Sequence, residues 1–184
     1  MNTDLGLALP ASVTDHIVAD ILELVDCESC SYDPAGLDAC LAVLLSLVDR
    51  RLGAPTTQHR YPRGDLGDIV SLTHPGTAAG HVVILGHYDT VWPAGTLATW
   101  GERLSTDADG RQRLSGPGIF DMKMGLAQGI WALKLARETG RPLPTVTLLF
   151  TGDEETRSRP DRSSKRWPRA STPRWCSRRA SAAR

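Results

Sequence analysis

Two short apolar runs constrain this chain most: HVVIL at 81–85 and TVTLLFT at 145–151. Both are β-branched, nearly continuous in apolar character and too short for a helix, which predicts central strands buried on both faces. Between them, Met122, Leu126, Ile130, Leu133 and Ala136 recur at helical spacing, and Gly140 and Pro142 close the pattern, so 122–139 reads as a helix. Strand, loop, helix and strand in that order predict an α/β fold with a mostly parallel sheet flanked by helices. A further strand is expected over 68–73.

The region before the strands reads as two amphipathic helices. The first covers 13–25, with Ser12 as its cap and Asp15 three residues on. The second covers 35–52, capped by Asp33, with Pro34 at the first helical position and Gly53 and Pro55 at the end. Cys27 and Cys30 form a CxxC between these helices. It has no second pair at matching spacing and does not follow a strand, so it is read as part of a helix connection rather than as a zinc or redox motif.

The net charge of zero in 184 residues is a cancellation. Residues 1–157 carry 12 Lys and Arg against 20 Asp and Glu, whereas 158–184 carry 9 against 1. The latter segment contains no Leu, Ile, Val, Met or Phe and resembles an out-of-frame reading of a GC-rich gene. The expected organisation is an incomplete catalytic domain over 1–157 followed by a basic, disordered tail over 158–184. No secretory signal opens the chain, no apolar run is long enough to span a membrane, and four irregularly placed cysteines do not suit a disulfide framework. A cytoplasmic protein without membrane or nucleic-acid partners is expected.

Candidate chemistry sits just past the two apolar runs. Ligands bind where loops leave the carboxyl ends of parallel strands. His87 and Asp89 follow the first run, Asp153, Glu154 and Glu155 follow the second, and Asp121 opens the intervening helix after a Gly-Pro-Gly loop. Each has a bland reading: Asp121 as a helix cap, the acidic trio as a solvated turn, His87 as a strand-end side chain. Their convergence at one sheet edge favours a metal-assisted site. A dinucleotide site at Gly116–Gly118 is disfavoured, because Asp121 takes the place of the third glycine and a carboxylate there repels pyrophosphate.

The segments GHYDTVWPAGT, SGPGIFDMKMG and LLFTGDEET, in this order, resemble the dinuclear zinc hydrolase family of glutamate carboxypeptidase, acetylornithine deacetylase and succinyl-diaminopimelate desuccinylase. WPAGT and GIFDMKMG are most similar to the glutamate carboxypeptidase branch. The resemblance implies a zinc-peptidase-like catalytic domain that hydrolyses an amide bond next to a carboxylate, in a small peptide or acyl-amino-acid substrate. It implies His87 and Glu155 as ligands of one zinc each, Asp121 as the bridge, Glu154 as general base and Asp89 as the carboxylate that orients the His87 ring.

It also implies a further acidic ligand and a distant histidine. The position of the first falls near Arg178 and Arg179, and the second has no counterpart. Each of two zincs would keep two protein ligands, below the three typical of catalytic sites. The family's dimerisation domain has no counterpart either. The chain is therefore expected to be an inactive fragment with weak metal binding at most. A third reading makes the basic tail, with Trp167 and Trp175, a nucleic-acid binder. A scrambled tail accounts for the missing aliphatics as well, so that reading is disfavoured.

Overall fold

Apolar spacing becomes three helices: α1 (Ala11–Asp26), α2 (Pro34–Leu52) and α3 (Met124–Glu138). The computed structural model describes residues 9–158; the tail assigned to the residues beyond lies outside them. α1 starts before Ser12, whose side chain does not cap it; the Pro10 carbonyl instead accepts the amides of Val13 and Thr14. α2 has Asp33 at its cap position and Pro34 at its first turn, and it stops at Gly53, whose φ of 73° lets its N–H return to the Asp49 carbonyl.

Six strands follow in chain order: β1 (Thr57–Arg63), β2 (Leu66–His74), β3 (His81–His87), β4 (Leu104–Thr106), β5 (Gln112–Leu114) and β6 (Thr145–Gly152). β4 and β5 form a separate hairpin, and the others form a sheet in the order β1-β2-β6-β3. The α/β class and the helix-flanked sheet are as expected, but the sheet is mixed rather than mostly parallel. β3 pairs parallel with β6, whereas β2 is antiparallel to both β1 and β6. The cause is loop length. α3 gives the crossover a parallel pair needs, but the short connection from β2 to β3 only lets the chain turn back.

All three helices lie against one face of the sheet. Val70 and Leu72 of β2, and Val146, Leu148 and Phe150 of β6, are buried in a common core with Leu24, Leu44 and Ile130. The opposite face is not covered among the described residues. β3 forms an edge there, with Val83 56% and Leu85 62% exposed. The expectation that this run is buried on both faces is thus corrected: apolar content recorded the burial the strand is suited to, and no described residue supplies the cover.

One buried ion pair ties the helices together. The Asp20 carboxylate, 3% exposed, accepts both Nε (2.8 Å) and Nη2 (2.9 Å) of Arg51 and the Nε1–H of Trp131 at 2.6 Å. The Arg51 guanidinium lies 4.7 Å from the centre of the Trp131 ring. α1, α2 and α3 each contribute one member of this group.

Candidate metal centre

The parallel register places His87 opposite Thr151, so the loops after β3 and β6 leave the sheet side by side. Both predicted groups emerge at this edge. Asp121 reaches it from a wide turn, Ile119–Lys123, that precedes α3. Its backbone is extended (φ −127°, ψ 95°), and the cap position of α3 belongs to Lys123, so the helix-cap reading of Asp121 does not hold. The Asp121–Met122 peptide is cis.

Local packing holds this turn against β3. The His87 N–H donates to Sδ of Met122 at 3.3 Å, and the buried Lys123 ammonium donates to the Cys27 carbonyl. Gly118, at φ 68°, lies so close to Thr90 that an added Cβ would fall 2.3 Å from its methyl group. The Gly-Pro-Gly loop thus permits close packing beside the site.

The His87 ring, 7% exposed, stands between two carboxylates. Its Nε2 lies 3.0 Å from Oδ1 of Asp121, and its Nδ1 lies 3.1 Å from the Asp89 carbonyl and 3.3 Å from Oδ1 of Asp89. Burial opposes a charge on the ring, but its hydrogen bonds to Asp89 and Asp121 outweigh it and raise the His87 pKa to about 9. Burial also acts on Asp89, yet hydrogen bonds from His87 and Ser31 and from the Glu155 amide hold its carboxyl below the usual range. Burial, followed by the negative charge of Asp121, pushes the Glu155 carboxyl up.

Ligand atoms of His87, Asp121 and Glu155 all lie within 4.8 Å of one another. One imidazole and two carboxylates are a donor set suited to zinc. The Asp89 and Asp121 carboxylates, which help to raise the His87 pKa and, second to burial, that of Glu155, favour a cation at the same point. The cluster opens onto a cleft of about 430 Å³ lined by His87, Asp121 and Glu154 above Leu85, Met122 and Thr151.

The acidic trio divides. Asp153 turns to Arg63 of β1, its Oδ2 accepting Nη2 at 2.8 Å, and takes no part in the cluster. Glu154 is exposed at the cleft, and Glu155 is half-buried in the cluster. They point apart because the chain leaves β6 through a 3-10 turn, Glu154–Ser158, rather than by continuing as a strand. Cys27 and Cys30 do not form a metal site with other described residues; the backbone of Cys30 bridges to Thr90, and Cys27, Cys30 and Cys40 are free thiols.

Sequence reasoning missed Ser29 and Ser31, in the connection between α1 and α2. Ser29 Oγ donates to the Tyr88 carbonyl at 2.6 Å, and Ser31 Oγ donates to Oδ2 of Asp89 at 2.7 Å. An S-x-S pattern in a predicted loop carries no periodicity and no charge, so nothing local marks it.

Fold and cluster together define an α/β domain with three side chains at one sheet edge that could hold a metal ion. Residues 83–170 match the family described as Peptidase family M20/M25/M40. Over this stretch the chain is similar to peptidase M20 domains, and the curated proteins it resembles include succinyl-diaminopimelate desuccinylase of Rhodopseudomonas palustris and carboxypeptidase G2 of a Pseudomonas species. The first is 36% identical over 141 residues, covering 72% of this chain and 34% of the relative; the second is 31% identical over 140 residues, covering 76% and 32%. The chain thus spans about a third of the length of the curated relatives it matches.

Solved structures agree on the fold. An M20 family metallo-carboxypeptidase from Sulfolobus solfataricus superimposes with a TM-score of 0.63 at 22% identity, covering 77% of this chain and 32% of its own. Human carnosine dipeptidase 1 gives a TM-score of 0.61 at 22% identity, covering 79% and 34%. Among the described residues no helix is long and apolar enough to cross a membrane.

Proposed function

We propose that His87, Asp121 and Glu155 hold one divalent cation, zinc in the first instance, and that the site is that of a hydrolase cleaving an amide bond next to a carboxylate. The observation that carries this is the convergence of three ligand atoms on one point. Three protein ligands with an open position suit a single catalytic ion better than two ions with two ligands each. A bound zinc supplies Lewis-acid polarisation of a carbonyl and acidifies water. The family names of the relatives, a desuccinylase and a carboxypeptidase, support the bond type.

The remaining roles fall to this chain's own residues. Asp89 holds the His87 ring through Nδ1, leaving Nε2 directed at the site. Glu154, exposed at the cleft, is placed to take a proton from water at a carboxylate oxygen and pass it to the leaving amine. Among the described residues lining the cleft, none carries a cationic side chain to receive a substrate carboxylate, apart from His87 when protonated. We therefore infer that this chain binds metal but turns over an acyl-glutamate weakly or not at all. Cytoplasmic residence fits the free thiols of Cys27, Cys30 and Cys40, the cysteines among the described residues.

The adjacent glutamates test the assignment. Glu155→Gln is expected to weaken zinc binding by at least about tenfold, the lower end for loss of a supporting group. Glu154→Gln is expected to leave it within about threefold, because Glu154 stands outside the ligand triad. Calorimetric zinc titration of the two variants decides the matter. Equal losses in both would refute the division of roles, and Glu154-dependent hydrolysis of an N-acyl-glutamate by the zinc-loaded chain would refute the weak-turnover reading.

A further inference from the structure

We propose that Ser31 is a positioning residue of this centre: its hydroxyl locks the Asp89 carboxylate and, through it, both the His87 ring and the turn that carries Glu154 and Glu155. The part concerning metal rests on the reading of His87 and Glu155 as ligands. The lock itself rests on hydrogen bonds alone.

Asp89 is fully buried and has a donor on every side. Oδ1 accepts the Glu154 amide at 3.3 Å and lies 3.3 Å from Nδ1 of His87. Oδ2 accepts the Glu155 amide at 3.0 Å and the Ser31 hydroxyl at 2.7 Å, the shortest of the four. One carboxylate therefore joins the loop after β3 to the first two amides of the turn after β6. A rotation of its plane disturbs both at once.

Of these donors, Ser31 alone comes from outside β3, β6 and the turns that follow them. Its own N–H donates to the Thr90 carbonyl at 3.1 Å, and the Thr90 N–H returns to the Ser29 carbonyl at 2.8 Å. The Ser29 hydroxyl is in turn fixed to the Tyr88 carbonyl. This small ladder clamps the α1–α2 connection to residues 88–90, so Ser31 Oγ is a fixed point against which Asp89 is set. The hydroxyl has a second acceptor, the Thr90 carbonyl at 3.2 Å, but the shorter bond to an ionised carboxylate is the stronger one. Ser31 is 1% exposed, so no bulk water replaces the hydroxyl once it is lost.

The test is amide hydrogen exchange on the metal-free chain, paired with Co²⁺ titration followed by visible absorption. Ser31→Ala is expected to speed exchange at the Glu154 and Glu155 amides by about tenfold while amides of β2 and β6 keep their rates. It is also expected to weaken Co²⁺ binding by about tenfold and shift its absorption bands. Ser31→Thr, which restores a hydroxyl, should return both towards the unsubstituted chain. If the alanine variant does not fold, Ser31→Cys, near in size and a weak donor, is read the same way. Unchanged exchange at Glu154 and Glu155, or a uniform increase over the whole core, overturns the proposal. Absence of Co²⁺ binding by the unsubstituted chain sinks the metal reading instead, and the exchange rates still decide the lock.

Discussion

Replacing Asp89 with alanine is expected to weaken zinc binding by about 100-fold and to lower folding stability by about 3 kcal/mol. A fully buried carboxylate is tolerated only because four donors surround it, and hydrogen bonds to a charged acceptor are the stronger kind. Alanine leaves the Glu154 and Glu155 amides without an acceptor, and leaves the Ser31 hydroxyl and His87 Nδ1 with only their weaker backbone acceptors, the carbonyls of Thr90 and of position 89. Loss of a negative charge near Asp121 and Glu155 offsets this a little, because like charges repel less, but screening keeps that gain small.

Asp89→Asn separates shape from charge. Whichever way the amide is turned, its NH2 faces donors: Ser31 and Glu155 on one side, or His87 and Glu154 on the other. Its stability should fall between the two, and its zinc affinity should lie near that of Asp89→Ala. Urea unfolding and calorimetric zinc titration of both variants check this. An Asp89→Ala chain as stable as its parent would show that the carboxylate does not organise the site.

The second large effect lies away from the cluster. Asp20→Ala is expected to cost about 3 kcal/mol, the lower end for breaking a buried ion pair, since Arg51 keeps some contact with water. Three helices lose their shared acceptor, and the Trp131 Nε1–H and two guanidinium donors are left without it. Replacing both charged partners with apolar residues, Asp20→Leu with Arg51→Met, should recover at least half of the loss, because no uncompensated charge remains buried. Where Asp20→Ala still folds, its zinc affinity should be unchanged. Thermal unfolding of the single and double variants gives the coupling directly, and additive losses would contradict it.

Much of this architecture was readable in advance, for physical reasons that differ by element. The three helices were legible from apolar periodicity, and β3 and β6 from short, nearly continuous apolar runs. β1 was not: TQHRYPR is exposed along its whole length and carries a proline, which the register shift between Tyr61 and Arg63 accommodates at a sheet edge. A usable signal did exist in Gly64, whose φ of 67° serves the tight turn from β1 into β2. Strand direction was legible only for β3 and β6, where α3 supplies the crossover. The direction of β2 follows from a short loop and a long-range pairing that no local pattern records.

The candidate site divides in the same way. His87, Asp121, Glu154 and Glu155 were legible because strand ends and a glycine-rich loop point to one edge. Asp153 was grouped with its neighbours by sequence and is separated from them by Arg63 in space. Ser31 was invisible, because a serine in a helix connection acquires meaning only when the chain folds back across 58 positions to Asp89.

Metal analysis after dialysis against zinc shows whether His87, Asp121 and Glu155 hold one divalent ion. About one zinc ion is expected to be retained per chain, and that ion is expected to be lost in His87→Ala while the variant keeps the far-ultraviolet circular dichroism of a folded chain. Two retained zinc ions, none, or retention that survives His87→Ala would contradict that assignment.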